Sequence, residues 1–123
     1  MPFRFETLET WHEARRYSND VHLIMAKFPR NEVFGLRSQM SRAANSISLN
    51  IAEGSAKSDK SFGAYLDIAI GSTYEVVGCS FLALDRGYIT EAEHKTIYAQ
   101  GDQLAARIRA FRKTLEKNGW QRA

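Results

Sequence analysis

The sequence predicts an all-α fold, an antiparallel up-down four-helix bundle, on three observations. Apolar residues recur at spacings of three and four in four separate segments, which gathers each set on one helical face. No run alternates apolar and polar with period two, and no Asn-Gly or Asp-Gly pair stands between candidate strands. The connectors between segments are short, so successive helices must run antiparallel.

Helix one is expected over about residues 8–28, on the face carrying Leu8, Trp11, Tyr17, Val21, Ile24 and Phe28. Thr7, or Thr10 with Glu13 three residues on, offers the N-cap, and Pro29 ends the pattern because proline lacks a donor and restricts its predecessor. Helix two, about 33–54, carries Leu36, Met40, Ala43, Ala44, Ile47 and Ile51, and Gly54 suits a left-handed terminal residue. Helix three, about 59–86, carries Phe62, Tyr65, Leu66, Ala69, Val76, Val77, Leu82 and Leu84 until Gly87 stops it. Helix four, about 90–118, opens on the best capping-box match in the chain, Thr90 with Glu93. Ile97, Gly101, Leu104, Ile108, Phe111 and Leu115 then alternate four and three, a heptad seam.

The composition fits one domain over residues 1–123: 44% hydrophobic, 25% charged, and a formal net charge of +3. Cys79 is the lone cysteine and cannot form an internal disulfide. Arg4, Glu6 and Glu9 stand where a secretory signal would carry its apolar core, so a cytoplasmic location is expected. The charge-free stretch between Glu75 and Asp85 is less than half of the roughly 20 residues that span a bilayer, so no membrane helix is expected.

Helices two and three are too apolar for a bundle with one wet face each. From Ser61 to Leu84 the only charged side chains are Asp67 and Glu75, and Ala43–Ala52 carries none. Gly71 and Gly78 lie a heptad apart with Ala64 one heptad earlier, and each glycine costs about 1 kcal/mol of helix propensity against alanine. Close approach of another backbone would offset that cost. A homo-oligomer assembled through these helices is the expectation, the alternative being that helix three is simply the most central of the four.

Catalytic chemistry has little to stand on. Glu91 with His94 forms a Glu-x-x-His pair, and it falls in a first helical turn where side chains are expected to reach water. His12-Glu13 lacks the second histidine of a zinc-protease motif, since position 16 is Arg16, and His22 has no ligand partner at helical spacing. Cys79 has no histidine or basic residue within a turn, which suits a packed thiol. No glycine-rich phosphate loop is present, and no cofactor or metal is expected.

Polar residues inside the apolar helices are more informative. Gln39, Arg42, Ser46, Asn50 and Glu53 step by three or four along helix two, and Glu75 sits in helix three. The row is either a buried network that holds register or a partner-facing surface; as a network, it would bring Arg42 or its neighbours to Glu75. Basic charge gathers late: from Thr90 onward seven Lys or Arg face four acids, against two and four over Ser58–Ile89. Arg109, Lys113 and Lys117 are spaced by four with Arg112 beside them, and Lys57 and Lys60 mark the middle loop, a set suited to phosphate contact.

The run Gly35-Leu36-x-x-Gln39-x-x-Arg42-Ala43-x-x-Ser46-Ile47-x-x-Asn50-Ile51-Ala52-Glu53-Gly54 resembles the four-helix-bundle proteins encoded in intervening sequences of the 23S rRNA gene. Phe5-x-x-Leu8-x-x-Trp11, Gly71-Ser72-x-x-Glu75 and Leu84-x-x-Gly87-Tyr88-Ile89 are similar to that family too, so the likeness covers nearly the whole chain. Ser48 departs from it where proline is frequent, and the loop from Ser55 to Lys60 is less basic than usual. The resemblance implies a ring-like homo-oligomer of five subunits without established catalytic activity. It also implies kinship with accessory proteins of diversity-generating retroelements, which are thought to bind nucleic acid and a reverse transcriptase. The resulting expectation is a non-enzymatic oligomer that binds RNA or DNA weakly through basic residues. The alternative is a scaffold whose oligomeric surface binds a protein partner, and a small-molecule pocket in the bundle centre ranks last.

Overall fold

The computed structural model describes residues 2–118, which form four α-helices and two 3-10 turns, with no strand among them. The helices are α1 Glu9–Met25, α2 Leu36–Gly54, α3 Asp59–Asp85 and α4 Glu91–Lys117; the 3-10 turns are Arg4–Thr7 and Arg30–Glu32. Each helix packs on its two sequence or chain-end neighbours, α1 on α2 and α4, α3 on α2 and α4, without diagonal contact among the described elements. Cross-helix bonds give the direction. Ser18 meets Asn45 and His22 meets Ser41; Gln39 meets Glu75 and Glu53 meets Tyr65; Ser80 meets His94 and Arg112 meets Asp67. Numbers rise on one helix as they fall on the next, so the bundle runs up and down.

The core is built from the predicted faces. Val21 and Met25 of α1, Met40, Ile47 and Ile51 of α2, Phe62, Leu66 and Val76 of α3, and Ile97, Leu104 and Ile108 of α4 are all fully buried. Each such side chain contributes about 1.5–3 kcal/mol relative to exposure. α3 as a whole is long and apolar enough, by length and composition only, to cross a bilayer, and 44% of its most apolar window is buried inside the bundle. In the bundle Phe62, Leu66, Ala69, Val76 and Ala83 turn its inner side into the centre of the core.

Helix ends follow local chemistry with two corrections. The Thr90 box forms as expected: Thr90 Oγ1 accepts from the Glu93 amide at 3.1 Å, and the Thr90 amide donates to Glu93 Oε1 at 2.9 Å. Ser58 caps α3 by accepting from the Ser61 amide. Neither Thr7 nor Thr10 caps α1. Its N-cap is Leu8, and the Thr7 hydroxyl donates instead to the Arg4 carbonyl, closing the 3-10 turn before the helix. Gly54 is the last helical residue of α2 and is not left-handed; a Cβ there would stand 2.7 Å from both the Phe62 ring and Tyr65 Cβ. That glycine lets α2 and α3 meet closely at their connection. The left-handed residue is Gly87, at φ +73°, where the Tyr88 amide reaches back to the Ala83 carbonyl at 2.9 Å in a Schellman motif.

Glu32 organises one end. Its carboxylate accepts from the Tyr88 hydroxyl at 2.6 Å, from the Leu36 amide at 3.0 Å and from Arg86 at 3.2 Å, so it starts α2 and clasps the α3–α4 connection. These donors, the Tyr88 hydroxyl foremost, hold its pKa below the ordinary value.

Candidate functional site

Three groups of residues stand out in the sequence, and the fold sends them to different places. The polar row of α2 runs along the α2–α3 seam and pairs with α3 rung by rung. Gln39 Nε2 donates to Glu75 Oε2 at 3.4 Å, the Ser72 hydroxyl donates to Ser46 Oγ at 2.9 Å, and the Tyr65 hydroxyl donates to Glu53 at 2.9 Å. Asn50 donates from Nδ2 to both the carbonyl and the hydroxyl of Ser46 at 2.8 Å. Three members of the row, Gln39, Ser46 and Glu53, thus bond across to α3, and the row lies at the surface. Gln39, Arg42, Glu53 and Glu75 are all exposed. Gln39, one turn from Arg42, is the neighbour that reaches Glu75. Arg42 forms no ion pair with it, because in this exposed seam neither charge needs burial compensated.

The second group is the outward face of α3. Ala64, Ile68, Gly71, Glu75, Gly78 and Leu82 follow one another at four, three, four, three and four residues, and every one is exposed. Ile68 is 52% and Leu82 43% exposed, with Tyr74 and Phe81 beside them. A Cβ at Gly71 or Gly78 would meet nothing within 4 Å, so no backbone of the same subunit approaches either glycine. The spacing is that of a heptad seam, and the six positions are left uncovered by the described residues of the chain.

The basic residues divide. Lys57 lies in the α2–α3 connection and Lys60 in the first turn of α3, and Lys113 and Lys117 in the last turns of α4. Phe62 and Phe111 stack edge to face at 5.4 Å between centroids, which puts both segments at one end of the bundle. All four lysines are exposed and free of ion pairs among the described residues. Arg112 is different, because Asp67 at 2.7 Å and Glu116 at 3.1 Å already neutralise it. Arg109 sits farther along the helix, donating to the Tyr74 hydroxyl with its guanidinium 5.4 Å from the ring centroid.

The histidines and the cysteine are structural. His94 does not reach water as its first-turn position suggests: it is buried against Phe81, 4.3 Å between ring centroids, and its Nδ1 lies 3.0 Å from the Ser80 hydroxyl. That hydroxyl also donates to the Val77 carbonyl at 2.6 Å, so its lone pair accepts from the imidazole N–H. His22 bridges α1 and α2 through the Ser18 carbonyl at 2.7 Å and Ser41 at 3.0 Å. Cys79 is buried; burial, with Glu75 nearby, pushes its thiol pKa up and away from nucleophilic use. Among the described residues no three His, Cys, Asp or Glu side chains gather as a metal site.

None of the curated proteins matches the chain. A family model described as "23S rRNA-intervening sequence protein" matches residues 6–110, a span that takes in all of α1, α2 and α3 and most of α4. With that match lying over the same helices whose faces and seams have just been described, the chain belongs to the 23S rRNA-intervening sequence protein family.

Proposed function

We propose that this protein is a non-catalytic homo-oligomer, held together through the outward face of α3, that binds RNA or DNA phosphates with the lysines at one end of each subunit. The observation that carries the reading is the exposed heptad seam Ala64, Ile68, Gly71, Glu75, Gly78 and Leu82, with open space over both glycines. Burying such a surface against identical copies removes apolar area from water and gives the glycines the close neighbour that their helix cost requires. A ring of five subunits is the assembly that the family resemblance implies, and a ring axis along the bundle would set every Lys57, Lys60, Lys113 and Lys117 on one rim. Repetition raises the avidity of contacts that are individually weak.

Sedimentation at micromolar concentration tests the assembly. A mass that is a multiple of 14.0 kDa supports it, and a 14.0 kDa species rejects it. Fluorescence anisotropy with a labelled RNA tests the ligand, since phosphate neutralisation weakens steeply with salt. Phe34, 97% exposed in the connection at the end away from the lysines, favours the scaffold alternative. Retention of a protein partner after nuclease treatment, abolished in Phe34→Ala, would replace the nucleic-acid reading with that one.

A further inference from the structure

The outward face of α3 has unlike flanks. On the α4 side a groove runs between α3 and α4, lined by Tyr74, Val77, Tyr98, Gly101, Asp102 and Ala105. Gly101 keeps its floor low. Tyr74 and Tyr98 stand half exposed as its walls, at 59% and 50%, and Asp102 follows Tyr98 by one helical turn on the same side of α4. Asp102 has no ion pair and the Tyr98 hydroxyl no hydrogen bond among the described residues. A tyrosine ring beside a carboxylate that forms no ion pair suits a planar cation, a guanidinium more than an ammonium. Arg109 already lies over Tyr74 and donates to its hydroxyl, so Tyr98, which meets Phe81 and His94 edge to face, and Asp102 are the acceptors that no cation occupies among the described residues.

The α2 flank carries the matching group. Among the ten described arginines, five pair with carboxylates and Arg15 and Arg109 lie over rings; Arg30, Arg37 and Arg42 do neither. Arg30 and Arg37 belong to the α1–α2 connection and the first turn of α2, at one end of the bundle. Arg42 stands at mid-height, one turn from Gln39, which bonds Glu75, and one turn from Ser46, which bonds Ser72. Asp102 is level with it, because Val77 lies against Gly101 on the other side of α3. The two cannot meet within one subunit, since α3 separates them.

We infer that Arg42 of one subunit docks against Tyr98 and Asp102 in the α3–α4 groove of the next, so that the α2 flank of each copy joins the α4 flank of its neighbour. The inference rests on the proposed homo-oligomer and specifies its geometry. Rotation about an axis parallel to the bundle preserves height, so equal height is what a cyclic contact needs. Unlike patches on the two flanks make that contact heterologous, and heterologous contacts are the kind that close rings of more than two. The buried seam of α3 then supplies adhesion, while the arginine and aspartate set direction and level.

The test is a charge swap read by sedimentation at pH 7, with helix content checked by circular dichroism. Arg42→Glu and Asp102→Arg are each expected to weaken assembly at least tenfold while staying helical, since both positions are exposed. The double variant, carrying both changes, is expected to regain the wild-type mass, and Arg42→Lys to fall between wild type and Arg42→Glu. Single variants that assemble like wild type, or a double variant no better than the singles, would overturn the docking while leaving the oligomer intact. A wild-type protein that sediments at 14.0 kDa would overturn both.

Discussion

The Tyr17 hydroxyl donates to the Ile97 carbonyl at 2.9 Å, across the α1–α4 contact and directly over Gly101. Burial pushes the Tyr17 pKa far up, so the hydroxyl stays a donor at any working pH. A Cβ at position 101 would stand 2.6 Å from that oxygen and 2.8 Å from a methyl of Val77. Gly101→Ala is expected to lower stability by about 1–3 kcal/mol through overpacking, although alanine is the better helix former by about 1 kcal/mol. Tyr17→Phe is expected to cost about 1–2 kcal/mol by leaving out one buried hydrogen bond. Urea unfolding midpoints of the two variants check both values.

Gly54 gives a second packing test at the opposite end of the core. Gly54→Ala pushes a methyl into the Phe62 ring and Tyr65 Cβ at 2.7 Å, so it is expected to cost about 1–3 kcal/mol. Gly78→Ala, with nothing within 4 Å, is expected to raise the stability of an isolated subunit by about 1 kcal/mol. Gly78→Leu is expected to weaken the oligomer, because the bulk falls on the face proposed to be shared. Thermal melts of dilute protein report the first change and sedimentation the second.

Acid is expected to loosen the end of the bundle held by Glu32. Its folded-state pKa lies below the ordinary 4.5, chiefly through the Tyr88 hydroxyl and then the Leu36 amide. The sign follows from linkage. The contribution to stability is fully present above the ordinary value and is lost as pH falls through the depressed one. Glu93, held low mainly by Lys27, acts in the same sense. The difference in urea midpoint between wild type and Glu32→Gln should be largest near neutrality and shrink as pH falls below the ordinary 4.5; a difference that is constant with pH would contradict this account.

For nucleic acid, the double variants Lys57→Glu with Lys60→Glu and Lys113→Glu with Lys117→Glu are expected to lower RNA affinity and flatten its salt dependence. On a single strand, each phosphate that is no longer neutralised reduces the log–log slope by about 0.7. Arg112→Gln is expected to leave that slope unchanged, because Asp67 and Glu116 already occupy the guanidinium. Anisotropy titrations between low and moderate salt make the comparison.

Much of the fold is legible in the sequence because it is local. Periodicity identifies four helices, and the Thr90–Glu93 box needs only residues three apart. What escapes depends on partners distant in sequence. No spacing rule says that Phe81 of α3 will cover His94, or that Gln39 rather than Arg42 will bond Glu75, since both lie on the same face of α2. Gly54 reads as a terminal glycine in sequence, yet its role comes from Phe62 and Tyr65 on the next helix. The basic residues are visible as a set, but the sequence does not indicate that Asp67 neutralises Arg112 while the four lysines remain free. The groove beside Tyr98 is not visible at all, because its two walls come from different helices.

An even number of alternating helices brings both ends of the described chain to the same side. The turn Arg4–Thr7 is tied there through Arg4 to Asp59, and Lys117 closes α4 beside the same connection. An affinity tag or fluorescent fusion attached directly at either end of the described residues would therefore crowd Lys57, Lys60, Lys113 and Lys117, and a polyhistidine tail would add its own metal-binding and anion-attracting groups to that rim. A label inserted beside Phe34, in the connection at the far side, leaves the ammonium groups clear and is the form in which ligand screening would report on the protein itself.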